Sequence, residues 1–267
     1  MDGAARLAGA AVVEVDPADE PSRRVVDGLI GARLTVRSDL VGVQGPRAGS
    51  GRADGEFWQH DGWFLKCRRS REHDDEPAAL AALAELAALK RALGTLTPVR
   101  SILAVLREAD HRLRLWTIAP TLVTLRERLD GAAAIGAWAA LRRSLLAFAH
   151  ALGVTVRRSV EDGLLLDPNP ANFAVQGGRL RYLDDDVGRS HGALGVEDAF
   201  VARLTEYPGA PLEILAAYGD RFCDELALTP AAIGELALPA RLASAAVLRP
   251  GSAPWVDRVR ARLEALT

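Results

Sequence analysis

Asparagine and lysine are almost absent from this chain. Of its 267 residues, only Asn169 and Asn172 are asparagine, and only Lys66 and Lys90 are lysine. With Ala, Arg, Leu and Gly abundant, the pattern is that of a GC-rich coding sequence, which favours arginine wherever either cation serves. A residue that this bias removes elsewhere is informative where it stays. Cysteine is scarce too. Cys67 and Cys223 provide neither a disulfide framework nor a metal-ligand cluster, and they read as reduced thiols. An excess of one charge is also missing: Lys+Arg number 33 against 35 Asp+Glu, a formal net charge of −2. That balance excludes a field strong enough to make nucleic acid or an anionic membrane the main partner. The N-terminal stretch MDGAARLAGAAVVEVDPADE lacks a charged segment followed by a full apolar core, so no signal peptide is expected. The longest apolar stretch, GAAAIGAWAALRRSLLAFAHALG, is interrupted by Arg142 and Arg143, which favours a buried helix over a membrane span. The expected location is the cytoplasm, with no membrane and no nucleic-acid partner.

What is present suffices for a folded protein. Hydrophobic residues make up 49% and charged residues 25%, enough to build a sizeable core in one large domain or two lobes. The first third reads as strands with one helix. Strands are expected in RLTVRSDLVGV at 33–43 and in the pair GEFWQH and GWFLKCRR, joined by Asp61-Gly62, a strong two-residue hairpin signal. Between them lies a glycine-rich stretch, residues 42–55. Asp74, Asp75 and Glu76, with Pro77, open an Ala/Leu helix that Gly94 stops. SILAVLREA and RLRLWTIA flank a turn at Asp110-His111, and Pro120 ends the strand region. A long helix is expected near 132–152, with Trp138, Leu141, Leu145, Phe148 and Leu152 on one face. A short β-rich insert runs from GLLLD to RLRYLDDD. Everything after Gly195 reads as helical, including a helix opened by Thr229-Pro230. The expected architecture is α+β: a small β-rich lobe over residues 1–119 and a larger, mainly helical lobe over 120–267.

Both asparagines fall in DPNPANF, residues 167–173, inside GLLLDPNPANFAVQGGRLRYLDDDVG. This segment resembles the catalytic segment of the protein-kinase-like superfamily, particularly its small-molecule branch of aminoglycoside and choline phosphotransferases. Asp167, Pro170 and Asn172 match its loop, and Asp184 after RLRYL matches its later acid. Asn169 and the ending Asp184-x-Asp186-x-Gly188 also resemble bacterial lipopolysaccharide sugar kinases. The order of elements over roughly residues 33–205 agrees with the superfamily.

The resemblance implies a two-lobed kinase-like fold, ATP and Mg2+ as cofactors, and a small-molecule hydroxyl acceptor. Asp167 then takes the role of catalytic base, orienting the hydroxyl and accepting its proton. Asn172, Asp184 and Asp186 become the magnesium ligands, hard oxygens suited to that ion. In a continuing strand, Asp184 and Asp186 would share one face and Asp185 the other. Lys66 in WFLKC would bind the phosphates. Glu85, the one acid between Pro77 and Gly94, would orient Lys66 from 19 positions on (85 − 66). The simpler readings are turn-forming Asp-Pro and Asn-Pro dipeptides, a solvated acidic turn, an edge lysine and a water-facing glutamate. Glu76 is the fallback partner for Lys66.

The match also departs from the pattern. Leu165 stands where the family carries a loop-organising His, so packing alone is expected to orient Asp167. The glycine stretch does not reproduce Gly-x-Gly-x-x-Gly. VTVRRSVEDGLLL makes a long connection to the loop, and His150 reads as a core residue. No Ala-Pro-Glu segment follows Gly188. That absence favours a small-molecule or sugar acceptor over a protein, while the missing His and the irregular glycine stretch keep open a pseudokinase that binds nucleotide or a partner without chemistry; a protein kinase is the third reading.

Overall fold

The computed structural model describes residues 7–36, 55–185, 187–189, 195–229 and 253–265. The strand expected beyond Val36, the glycine-rich stretch before Gly55, Asp186 and the helix expected from Pro230 lie outside the described residues. The protein is α+β and divides into two compact units, Met1–Thr121 and Leu122–Thr267.

The first unit is built on a six-stranded antiparallel sheet. Its strands are β1 (Ala11–Asp16), β2 (Thr35–Val36), β3 (Gly55–His60), β4 (Trp63–His73), β5 (Ile102–Arg107) and β6 (Leu113–Pro120), in the order β1-β5-β6-β4-β3-β2. The β3–β4 hairpin turns at Asp61 and Gly62, whose φ angles of 43° and 77° are the two positive values that a tight hairpin of this twist requires. One helix covers each face of the sheet. Helix α1 (Glu20–Leu29) sends Val26 and Leu29 against Trp58, Leu65, Cys67, Trp116 and Ile118. Helix α2 (Glu76–Leu93) packs Leu83, Leu86 and Ala87 on Leu103, Val105, Leu113 and Leu115. Because β5 is covered on both faces, it reads as an unbroken apolar run from Ile102 to Leu106, and β6 is buried from Leu113 to Ile118 with Arg114 and Thr117 among its buried residues.

Helix α2 has the expected ends. Asp75 accepts a hydrogen bond from the Ala78 N–H at 2.8 Å, and Gly94 closes the helix at φ 56°. Strand β1 and helix α1 were not expected, so the described residues of this unit carry two α-helices rather than one. The signal for α1 is slight. Asp19 caps it through the Ser22 N–H at 2.7 Å, but only Val26 and Leu29 bury large apolar side chains on it.

The second unit holds helices α3 (Leu125–Ala134), α4 (Trp138–Asp162), α5 (Val196–Glu206), α6 (Leu212–Leu226) and α7 (Ala253–Glu264). Thr124 and Glu127 form a reciprocal capping box at the start of α3. Helix α4 runs ten residues beyond its expected end at 152, so VTVRRSVED is helix and not a long connection. Val154, Thr155 and Val156 have little intrinsic preference for helix, but burial of Thr155 and Val156 overrides it. Phe200 stacks on Tyr218 and Phe222 at centroid distances of 5.0 and 4.6 Å, joining α5 to α6.

Helices α4 and α6 approach so closely at Gly153 that a methyl group there would overlap Glu225 Cβ. The buried Glu225 carboxylate faces His150 Nδ1 at 2.9 Å and Arg157 Nη1 at 3.0 Å, and also pairs with Arg221. His150, expected in the core, is thus the half-exposed partner of a buried acid. Burial alone would raise the Glu225 carboxyl. The hydrogen bond and charge of His150, followed by those of the arginines, outweigh that effect and hold it below its ordinary value of 4.5.

Two predictions follow from this packing. Gly153→Ala gains about 1 kcal/mol of helix propensity but is expected to lose more by overpacking, since the obstructing atom is fixed to the α6 backbone. Its melting temperature should fall. Gly131→Ala, in α3 with open space around it, should raise the melting temperature by a few degrees. The second prediction concerns acid. A carboxyl lowered on folding stabilises fully above its unfolded value and loses that contribution as pH falls through the folded one. Stability should therefore fall below pH 4.5 more steeply in the wild type than in Glu225→Gln, read from urea midpoints across pH 2.5–6.

Candidate functional site

The segment after α4 is shaped by a few backbone constraints. Gly163 adopts the left-handed conformation at φ 62° and ends the helix. Strand β7 (Leu164–Leu165) then pairs antiparallel with β10 (Gly188–Arg189). Leu164 and Leu166 are buried, which leaves Asp167 half-buried at the start of the loop. Asn169 Oδ1 accepts the Ala171 N–H at 3.0 Å and caps a single 3-10 turn, Pro170–Asn172. Strands β8 (Phe173–Gln176) and β9 (Arg179–Tyr182) follow, turning through Gly177 and Gly178 at φ 58° and 75°.

Three of the expected residues meet at the open end of this hairpin. Phe173 pairs with Tyr182, their rings 5.2 Å apart, and the Leu183 N–H donates to the Asn172 carbonyl at 2.8 Å. That bond puts Asn172 and Asp184 on neighbouring backbone positions. The Asp167 N–H in turn donates to the Tyr182 hydroxyl at 3.0 Å. Asp167 is therefore tied by a hydrogen bond, and the expectation that packing alone orients it is overturned. Tyr182 is one of three tyrosines in the chain and ends a strand two residues before Asp184. Sequence reasoning missed it, because a buried strand tyrosine normally signals core.

The acidic run departs from its expected geometry. Strand β9 ends at Tyr182, so Asp184 and Asp185 do not alternate across a strand, and both are buried, at 6% and 2% exposure. Asp184 Oδ1 accepts the Asp185 N–H at 2.8 Å. Outside a strand ladder, the Asp185 N–H is free to answer one oxygen of the buried Asp184 carboxylate.

In the first unit, Lys66 is 6% exposed on β4, in register with Phe57 and Thr117, and its ammonium lies 5.8 Å from the Phe57 ring centroid. Glu85 does not join it. Glu85 is exposed and has no ion pair among the described residues. Leu83, Leu86, Ala87 and Lys90 form the buried face of α2, and position 85 lies off that face at about 100° per residue. Glu76, the fallback partner, pairs instead with Arg107 at 3.0 Å.

Among the described residues no group of three His, Cys, Asp or Glu is arranged to hold a metal ion. Asn172 and Asp184 carry hard oxygens of the kind that magnesium takes. The carboxamide of half-buried Asn172 has no hydrogen-bond partner among the described residues, and buried Asp184 follows Leu183, whose N–H is bonded to the Asn172 carbonyl. An ion that keeps several waters needs only one or two such protein ligands.

No family model, curated protein or solved structure matches this chain.

The two asparagines are expected to separate by substitution. Asn169→Ala removes a cap and should cost about 1 kcal/mol, lowering the melting temperature by several degrees. Asn172→Ala removes a side chain with no partner among the described residues and should leave the melting temperature within a degree or two. Differential scanning calorimetry reads both.

Proposed function

We propose that the chain is an ATP- and Mg2+-dependent phosphotransferase of protein-kinase-like fold that moves a γ-phosphoryl group to a hydroxyl of a small molecule or sugar. One observation carries the reading. Asp167, Asn172 and Asp184 are anchored to the same open end of the β8–β9 hairpin, by the Asp167 N–H on Tyr182 and the Leu183 N–H on Asn172. A half-buried carboxylate beside two further oxygen donors suits phosphoryl transfer, in which the protein mainly positions groups and compensates charge. The order of elements in the first unit also supports the reading: a hairpin, a strand with a buried lysine, a capped helix and two further strands.

In this proposal Asp167 accepts the proton of the acceptor hydroxyl as its oxygen forms the new bond to the γ-phosphorus and the bond to ADP breaks. Asn172 and Asp184, with Asp186, hold the magnesium. The metal, when bound, neutralises the charge of the phosphate oxygens. Lys66 adds a point charge for the phosphates.

The exposure of Glu85 favours a second reading, a pseudokinase, because Glu85 does not take the role of acidic guide that the resemblance implies. Thermal-shift titrations with ATP, with and without Mg2+, followed by labelled ATP on a panel of hydroxyl acceptors, separate the two. The phosphotransferase reading expects a Mg2+-dependent shift and transfer to at least one acceptor. Asp167→Asn should lower turnover by about 10²–10⁴-fold, with Asp184→Asn at least as severe, both keeping a wild-type-like melting temperature. Binding of ATP without transfer to any acceptor would favour the pseudokinase. No shift under either condition would overturn the phosphotransferase reading and favour a partner-binding role without nucleotide.

A further inference from the structure

The loop that carries Asp167 has unusual backbone chemistry. Pro168 and Pro170 have no N–H, so Asp167–Pro170 contains only two backbone donors, at Asp167 and Asn169. Each of those residues precedes a proline and is held extended, as Asn169 shows at φ −72° and ψ 129°. The segment is thus stiff and poor in backbone donors. At its far end the Asn169 carbonyl accepts the Asn172 N–H at 2.9 Å and Asn169 Oδ1 accepts the Ala171 N–H at 3.0 Å. At its start the Asp167 N–H is attached to the Tyr182 hydroxyl, 3.0 Å away. Leu165, two residues earlier, brings no polar side chain to the loop.

The Tyr182 ring is itself immobilised. It is fully buried, pairs in register with Phe173, and packs against that ring at 5.2 Å. Phe173 directly follows Asn172, and Tyr182 precedes Asp184 by two positions. One side chain therefore relates the proposed base to both described oxygen donors. We infer that Tyr182 is a positioning residue: its hydroxyl sets where the Asp167 carboxylate stands relative to Asn172 and Asp184. This inference rests on the phosphotransferase reading and deepens it.

Tyr182→Phe tests it with minimal disturbance, since the ring and its contact with Phe173 remain. With an accepting substrate, kcat is expected to fall about ten-fold. KM for MgATP should stay within about two-fold, because the lost contact acts on the base rather than on nucleotide binding. Phe222→Leu, in the aromatic stack of α6, serves as the stability control. It should lower the melting temperature at least as much as Tyr182→Phe without lowering kcat at 25 °C. A Tyr182→Phe enzyme with wild-type kcat overturns the inference and leaves the phosphotransferase reading intact. A kcat loss matched by Phe222→Leu also overturns it, because stability alone would then explain the effect. A wild-type chain that transfers no phosphoryl group to any acceptor overturns the reading and, with it, the catalytic role of Tyr182. Amide exchange at Asp167, followed by NMR, does not depend on turnover. It should accelerate about ten-fold or more in Tyr182→Phe, and unchanged exchange would show that the hydroxyl does not hold the loop.

Discussion

The antiparallel pairing of β8 with β9 is the constraint on which the candidate site depends, since every group assembled there is fixed relative to its open end. Two strands of four residues are marginal on their own in water. This pair gains support from both sides. Phe173, Ala174 and Tyr182 are buried, and Ala174 forms an isolated bridge with Thr124. Thr124 is also the N-cap of α3, closed reciprocally by Glu127 through a 2.7 Å bond to the Thr124 N–H and a 3.1 Å bond in return. The capping box therefore fixes more than a helix end. It holds the residue against which the hairpin docks, so the position of the candidate site is coupled to the start of α3.

Much of this arrangement was legible in the sequence where local chemistry determines geometry. Asp61-Gly62 marks a hairpin because few other residue pairs tolerate two successive positive φ angles. The acids at 74–76, Pro77 and Gly94 bounded α2 for equally local reasons. Features set by distant packing were not legible. Helix α4 continues through Val154–Val156 only because that surface is buried. Which face of α2 meets the sheet could not be read, because Ala and Leu surround the helix and the apolar pattern has no clear phase. Glu85 was therefore placed inward when it lies outward. The link between Asp167 and Tyr182 spans 15 residues and joins a backbone donor to a side chain, a contact that no periodicity encodes.

The preference for arginine has structural consequences away from the site. In the first unit, buried Arg114 directs Nε to Glu72 at 3.0 Å, Nη2 to Asp110 at 2.8 Å and Nη1 to Glu108. Glu108 is itself buried and also accepts the Trp116 indole N–H at 3.2 Å. The guanidinium reaches the three carboxylates from three separate nitrogens, a wider planar spread than the three N–H bonds of one ammonium nitrogen. Each buried charge thus has a counter-charge beside it. Lys66 has a different environment, against the face of an aromatic ring on a covered strand.

The same reasoning explains why two asparagines persist side by side. An aspartate at 169 would cap the 3-10 turn as well as asparagine does. It would also place another anion two residues from Asp167, in a loop whose prolines remove two of the donors that could compensate it. The amide caps without charge. At 172 the argument concerns Asp184, which is buried and one backbone hydrogen bond away through Leu183. A second carboxylate there would repel the first whenever no cation is present, and burial would strengthen that repulsion. An amide oxygen avoids that like-charge penalty and, in the proposed phosphotransferase, would still offer a hard ligand. On that proposal Asn169 and Asn172 have different tasks, one structural and one toward a ligand, and both call for an oxygen acceptor without a negative charge.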